Sequence, residues 1–394
     1  MIRFVDEPPA GADLVVVGAG IVGAATAFFA SRAGLDVVVL EARGDVATLT
    51  TPASTGAFRL QFDNREEWEL VRESVDLFER FAEVTGQDRH LPGIERNGYL
   101  FCTTDPDRVG SQAALVQRQH AWGQDDIDLL DGDEVRRRFP FIAPDVLSAR
   151  FRADDGFLDP VEVTRGFLAG SEATVVVGCR VDRIAIADGG VGGVETPRGQ
   201  VEAPRVVVAA GPFSGRLLGT VAPDLLPISV VDRQKVVVPD LAEVPPGAPM
   251  TIDEDTGTHW RPYRGGAAVL FTDPAAPATE PREVVPPDPG HARSVLDPGS
   301  PRAAARIAPF WEEVWAREAA WTAVSGQYVM TPDRRPFLGA VGAGGLFVNT
   351  GYSGHGIMVS PAGSRLLVDL IVGRVSDNPF AVDRRPVERE RDVL

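Results

Sequence analysis

Residues 13 to 40 read DLVVVGAGIVGAATAFFASRAGLDVVVL: a short unbroken apolar run, a glycine turn, an alanine-rich stretch with helical spacing, and a second apolar run. That succession predicts a β-α-β unit. Gly18 permits the tight turn, Gly20 lets the backbone approach a pyrophosphate, and Gly23 lets the helix pack close to the strand. Ile21 and Val22 open the helix, whose unclaimed N–H groups favour anionic oxygen. Glu41 ends the second strand, 18 residues beyond Gly23, where a carboxylate can accept hydrogen bonds from both hydroxyls of an adenosine ribose. The same carboxylate disfavours a 2′-phosphate and so NADP, which leaves NAD and FAD. Ala42 and Arg43 are assigned to the cofactor site with it.

The chain has 394 residues, of which 44% are hydrophobic, enough for two cores. A net charge of −17 with no basic cluster argues against nucleic acid and membrane surfaces as partners. Lys235 is the only lysine and is expected at the surface. The preference for arginine is attributed to genome composition or a halotolerant surface. Cys102 and Cys179 are far apart, with no spacing that suggests a disulfide framework or a thiolate metal site, and no metal is expected. The opening MIRFVDEPPAGAD lacks a basic region followed by an apolar one, and no segment reads as a transmembrane helix, so a reducing cytoplasm is expected.

Further along, residues 199–218 predict a strand ending in Ala209-Ala210-Gly211, a small-residue turn that lets the chain pass close to a dinucleotide. Near the C-terminus a strand at 346–349 leads into TGYSGHG and then an apolar, helix-patterned run. A glycine-rich loop opening onto a helix can hold something electron-rich against backbone N–H groups. Residues 67–86 predict one amphipathic helix ending at Gly86, QKVVV and AAVLFT predict strands, and the proline-dense stretch 274–301 predicts an exposed loop.

Taken in order, the N-terminal fingerprint, STGAFRLQF, DDGFLDP, VVVAAGPFS, TPDRRPFLG and GYSGHG resemble the FAD-dependent D-amino acid oxidase superfamily, in particular its sarcosine oxidase and dimethylglycine dehydrogenase branch. The resemblance runs almost end to end. It implies an α/β fold: a Rossmann-like FAD-binding domain of glutathione reductase type from residues 1–86, 152–218 and 328–394, and an α+β substrate domain with a mainly antiparallel sheet from 87–151 and 219–327. It also assigns Ser54, Thr55, Gly56, Val181, Phe213 and Asp333 to FAD. In such enzymes the C-terminal glycine loop, here Gly351, Tyr352, Ser353, Gly354, His355, Gly356 and Ile357, packs beside the pyrimidine end of the flavin, where negative charge accumulates on reduction.

Arg59 matches the arginine that pairs with a substrate carboxylate, a task its planar fork suits. Met358 stands where monomeric sarcosine oxidase has a second carboxylate-binding lysine. Ala53 and Gly326 match the two positions at which relatives attach FAD covalently, so the cofactor is expected to be held non-covalently. Tyr328 replaces the carboxylate-binding arginine of glycine oxidases and either lines the pocket or packs in the core. In THWRPYRGG, strand alternation puts His259, Arg261 and Tyr263 on one face and Trp260 and Arg264 on the other. The implied reaction is oxidation of the C–N bond of an amino acid or a secondary or N-methyl amine, with dioxygen or a redox carrier as acceptor. Oxidation of a 2-hydroxy acid or a glycerol phosphate, and a flavin-binding subunit without turnover, remain alternatives.

Overall fold

The computed structural model describes residues 1–387. A seven-stranded sheet draws on segments scattered along the chain, in the order Arg3–Phe4, Thr174–Val176, Val37–Leu40, Leu14–Val17, Val206–Val208, Leu346–Thr350 and Phe337–Ala340. Neighbours pair in parallel except the last two, which are antiparallel. Parallel strands are covered on both faces, which is why LVVV, VVVL and VVV are buried at every residue. Val37–Leu40 flanks Leu14–Val17 on one side and Val206–Val208 on the other, so the strand order reverses there and leaves a crevice beyond the carboxyl ends.

Both ends of the chain meet beside this crevice. Helix Ile21–Arg32 packs on helix Gly356–Ile371, and the Asn349 amide donates to Thr26 Oγ1 at 2.9 Å and to Ser364 Oγ at 3.0 Å. The Tyr352 hydroxyl donates to Asn349 Oδ1, so this buried amide is satisfied on both sides. Around the helices lie Phe28, Phe78, Phe81 and Phe167, each contributing about 1.5–3 kcal/mol by burial.

An eight-stranded sheet runs Thr322–Met330, Ser229–Val238, Gly266–Phe271, Thr258–Tyr263, Met250–Asp253, Tyr99–Thr103, Ser148–Arg152, Asp128–Asp131. It is antiparallel except where Met250–Asp253 meets Tyr99–Thr103. The expected domain limits at 151/152 and 327/328 fall inside two of its strands. The last residues of the expected 328–394 segment, 388–394, lie outside the described residues.

Two local expectations need correction. The stretch 67–86 forms two helices, Arg65–Glu79 and Phe81–Thr85, because Arg80 leaves helical geometry at ψ 22°. That break turns Phe81 edge-on to Phe167 with ring centroids 5.1 Å apart, and Gly86 closes the second helix at φ +67°. Within 274–301 the chain forms helix Pro289–Leu296, capped by Asp288 and anchored by buried Ala292, Val295 and Leu296.

Candidate active site

A groove of about 350 Å³ opens at the crevice, between the turn that follows Leu14–Val17 and the turn that follows Val206–Val208. The two turns touch. A Cβ on Gly18, at φ +105°, would lie 2.6 Å from the Ala209 carbonyl oxygen, and one on Gly23 would lie 1.9 Å from that of Gly18. Gly20 has only Thr51 Oγ1 near its missing Cβ, at 3.2 Å, and lines the groove with Ile21 and Val22. The Glu41 carboxylate is fixed by the Ala19 N–H at 2.8 Å and the Arg43 N–H at 2.9 Å, which leaves lone pairs for further donors. Burial pushes its pKa up, against the opposing effect of those two N–H groups. Over the same end, Arg43 Nη1 pairs with Glu283 at 2.7 Å, so the proline-dense segment straps the groove and is tied down there.

Ala42, Ser54, Val181, Ala210, Gly211 and Phe213 also line the groove, as do Gly351, Tyr352, Ser353, Gly354, Gly356 and Ile357 of the C-terminal loop and helix. Five expected cofactor residues do not. Gly23 lies beneath the turn, where its lack of a side chain permits the packing. Gly56 sits 2.3 Å, at its absent Cβ, from the Leu158 carbonyl and serves a backbone crossing. Asp333 is buried in an ion pair with Arg384 at 2.7 Å and is structural. Thr55 and His355 face a second cavity.

Ser54, Tyr328, Ser353, Gly354 and Ile357 line both the groove and that second cavity, and so mark their junction. Gly354 is held at φ +97° with the Tyr328 ring 2.6 Å from the place of a Cβ, so Tyr328 is both packed and pocket-lining. Ala53 and Gly326 face each other nearby: a Cβ on Gly326 would stand 2.9 Å from that of Ala53.

The second cavity, about 300 Å³, is lined by Arg59, Arg233, Arg334, His259, His355, Tyr99 and Tyr328 together with apolar side chains including Met250, Leu270 and Met358. No carboxylate is among the described residues that line it. Arg59 is buried, with its guanidinium 5.0 Å from the Phe62 ring, 5.8 Å from Tyr99 and 5.6 Å from Phe101. Its Nη2 lies 3.4 Å from His355 Nε2. A guanidinium only donates, so in a hydrogen bond between them the imidazole nitrogen is the acceptor. Burial brings the Arg59 pKa below its ordinary value, and pushes Tyr99 up to about 12, which keeps the phenol neutral. His259 is held through Nδ1 by the Gly257 carbonyl at 3.0 Å, and burial lowers its pKa to about 4, so it is uncharged at neutral pH.

Trp260 points into the core opposite, as alternation requires. Arg261 and Tyr263 share the face of His259 but lie beyond the cavity: Arg261 stacks 4.1 Å over the Phe157 ring. Lys235, expected at the surface, is 3% exposed. Its Nζ donates to the Ser54 carbonyl at 2.6 Å, and burial, reinforced by Arg261 and Arg264, brings its pKa down to about 8.

The family described as FAD dependent oxidoreductase (DAO) matches residues 13–370. The chain belongs to this family. It is 27% identical over 237 residues to dimethylglycine dehydrogenase of Homo sapiens, a match covering 59% of this chain and 27% of the longer relative. The solved glycine oxidase of Bacillus cereus superposes with a TM-score of 0.79 at 25% identity, over 96% of this chain and all of that one. The L-proline dehydrogenase of P. horikoshii shares the fold, with a TM-score of 0.81 at 23% identity over 95% and 96% of the two chains. As a DAO-family protein the chain is an FAD-dependent oxidoreductase, and the groove fits that cofactor in its glycine cradle and its anchored carboxylate. No helix among the described residues is long and apolar enough to cross a membrane.

Sequence reasoning missed several lining residues of this DAO-family site. Thr51 Oγ1 accepts from the Ile21 N–H at 3.2 Å at the helix N-terminus, where the threonine-rich TLTTPAST was a usable sign. Tyr99 and Arg233 carry no local motif, whereas Arg334 stands in TPDRRPFLG directly after the Asp333 that was assigned instead. With Ala53 and Gly326 both unable to form a bond to flavin, acid precipitation of the holoprotein is expected to leave all flavin in the supernatant. Flavin fluorescence that stays on the denatured chain would contradict this.

Proposed function

We propose that the chain oxidises the C–N bond of an amino acid or a secondary or N-methyl amine, with dioxygen as the acceptor. The observation that supports this best is the buried Arg59 in a carboxylate-free cavity that shares Ser54, Tyr328, Ser353, Gly354 and Ile357 with the cofactor groove. Bound flavin supplies the two-electron acceptor. Arg59 grips the substrate carboxylate through two parallel hydrogen bonds and so directs the α-carbon toward the junction. The cationic lining also disfavours a substrate ammonium, lowering its pKa toward the neutral amine whose α C–H is the better hydride donor. Neutral His259 adds no charge to oppose this. Tyr328 and Gly354 close the junction by direct packing, which limits water there. The product imine then hydrolyses to a carbonyl compound and an amine.

Anaerobic mixing of holoprotein with sarcosine, proline, D-alanine and 2-hydroxy acids tests this. Loss of the visible flavin band is expected with at least one amine, with peroxide formed on admission of air. Bleaching by a hydroxy acid and by no amine would overturn it.

A further inference from the structure

The cavity holds more positive charge than one carboxylate needs. Arg233 comes from strand Ser229–Val238 and Arg334 from the turn after Thr322–Met330, and both line the cavity with Arg59. Arg233 has no carboxylate at ion-pair distance among the described residues. Its Nη1 and Nη2 reach only the backbone carbonyls of Asp232 and Asp273, each at 3.2 Å, and its Nε is buried with no partner. Its guanidinium lies 5.7 Å from the Tyr328 ring centroid, beside the junction. The nearest acids are committed elsewhere. The Asp232 carboxylate is held by Thr279 at 2.9 Å, Gln327 at 2.8 Å and Arg282 at 3.0 Å, while Asp273 accepts from the Ala275 N–H at 2.9 Å. Burial lowers the Arg233 pKa and Arg334 adds to this, while Asp273 and Asp232 act in the opposite direction from beyond ion-pair distance. A partly buried guanidinium without a counter-charge is costly, and buried charges in folded proteins are ordinarily paired. This happens in a chain whose net charge is −17, so acidic groups are abundant and yet kept out of the cavity.

We propose that the substrate carries a second acidic group, paired with Arg233 and assisted by Arg334, in addition to the carboxylate at Arg59. The site is then built for a diacid: an amino or N-alkylamino dicarboxylate, or an amino acid bearing a terminal sulfonate or phosphonate. The proposal takes the cavity as the substrate site and in that respect rests on the function proposed above, but the second anion can be read without turnover.

The test is titration of holoprotein with unreactive acids, followed by perturbation of the flavin absorption band, using malonate, succinate, glutarate and adipate against butyrate. The best-fitting diacid is expected to bind about 10- to 100-fold more tightly than butyrate, the range of a hydrogen bond to a charged group. Arg233→Gln is expected to bring the diacid-to-monoacid ratio close to one, and Arg334→Gln to lower it partially. A ratio near one in the unaltered protein, or a ratio that survives Arg233→Gln, would overturn the second-anion site. Should Arg233→Gln fail to retain flavin, Arg233→Lys and Arg334→Gln supply the same ratio, and no change in either variant counts against the proposal. Failure of the amine chemistry is separate: it appears as absent bleaching with every amine, whatever the binding ratio.

Discussion

Replacing Arg59 by alanine is expected to lower kcat/KM for carboxylate-bearing amines by about 10- to 150-fold, corresponding to about 1.5–3 kcal/mol for a charge-assisted pair, with most of the loss in KM. The guanidinium is already buried against Phe62, Tyr99 and Phe101, so little side-chain entropy is lost when the substrate arrives. Arg59→Lys is expected to recover only part of the loss, because an ammonium cannot reproduce the planar fork. A carboxylate-free amine of similar size should be much less affected, and this contrast separates a lost ion pair from a disturbed pocket. The variants must carry unaltered flavin content for the comparison to hold. Unchanged KM for carboxylate substrates would remove Arg59 from the site.

Such a variant also reports on electrostatics inside the cavity. The Arg59 charge is one of the influences that lower the His259 pKa, behind burial. Both cations would otherwise share a low-dielectric space, and the histidine yields because its proton is the more easily lost.

The β-α-β unit that lines the groove was legible in the sequence because its determinants are local. Gly18, Gly20, Gly23 and Glu41 sit within one β-α-β unit, where each residue's conformational demand follows from its immediate neighbours. The substrate end was legible only in part. Strand alternation separated His259 from Trp260, but alternation says which face a side chain takes and not how far the cavity extends along the strand; hence Arg261, on the correct face, ends over Phe157. Arg233 and Lys235 had no signature because their surroundings come from pairing with Thr322–Met330 and from the Ser54 turn, segments distant in sequence. A lone lysine is usually exposed, and here a backbone carbonyl 2.6 Å away offsets part of its burial cost. Asp333 failed for a related reason: the resemblance supplied its place in TPDRRPFLG, but only the folded chain brings Arg384 to it.

Gly23→Ala is expected to give protein that is purified without flavin and does not take it up from excess FAD. The added Cβ would lie 1.9 Å from the Gly18 carbonyl oxygen and 2.9 Å from its carbon, both backbone atoms that cannot swing aside. Relief requires the helix Ile21–Arg32 and the turn before it to move apart by about an ångström, and overpacking of this kind costs about 1–3 kcal/mol. The larger penalty falls on binding. The pyrophosphate relies on N–H groups already aligned at the helix N-terminus, and a shift of that size lengthens every one of those hydrogen bonds together. The native-state stabilisation supplied by the cofactor is lost as well, so Tm should fall to that of apoprotein or below. Gly44→Ala is the matched control: it lies three residues past Glu41, at an ordinary φ, with nothing within 4 Å of the added carbon, and should bind flavin normally. If Gly23→Ala retains a full complement of flavin while Gly44→Ala behaves as expected, the contact between helix and turn is not what holds the pyrophosphate, and the groove's role as the dinucleotide site would need a different physical basis.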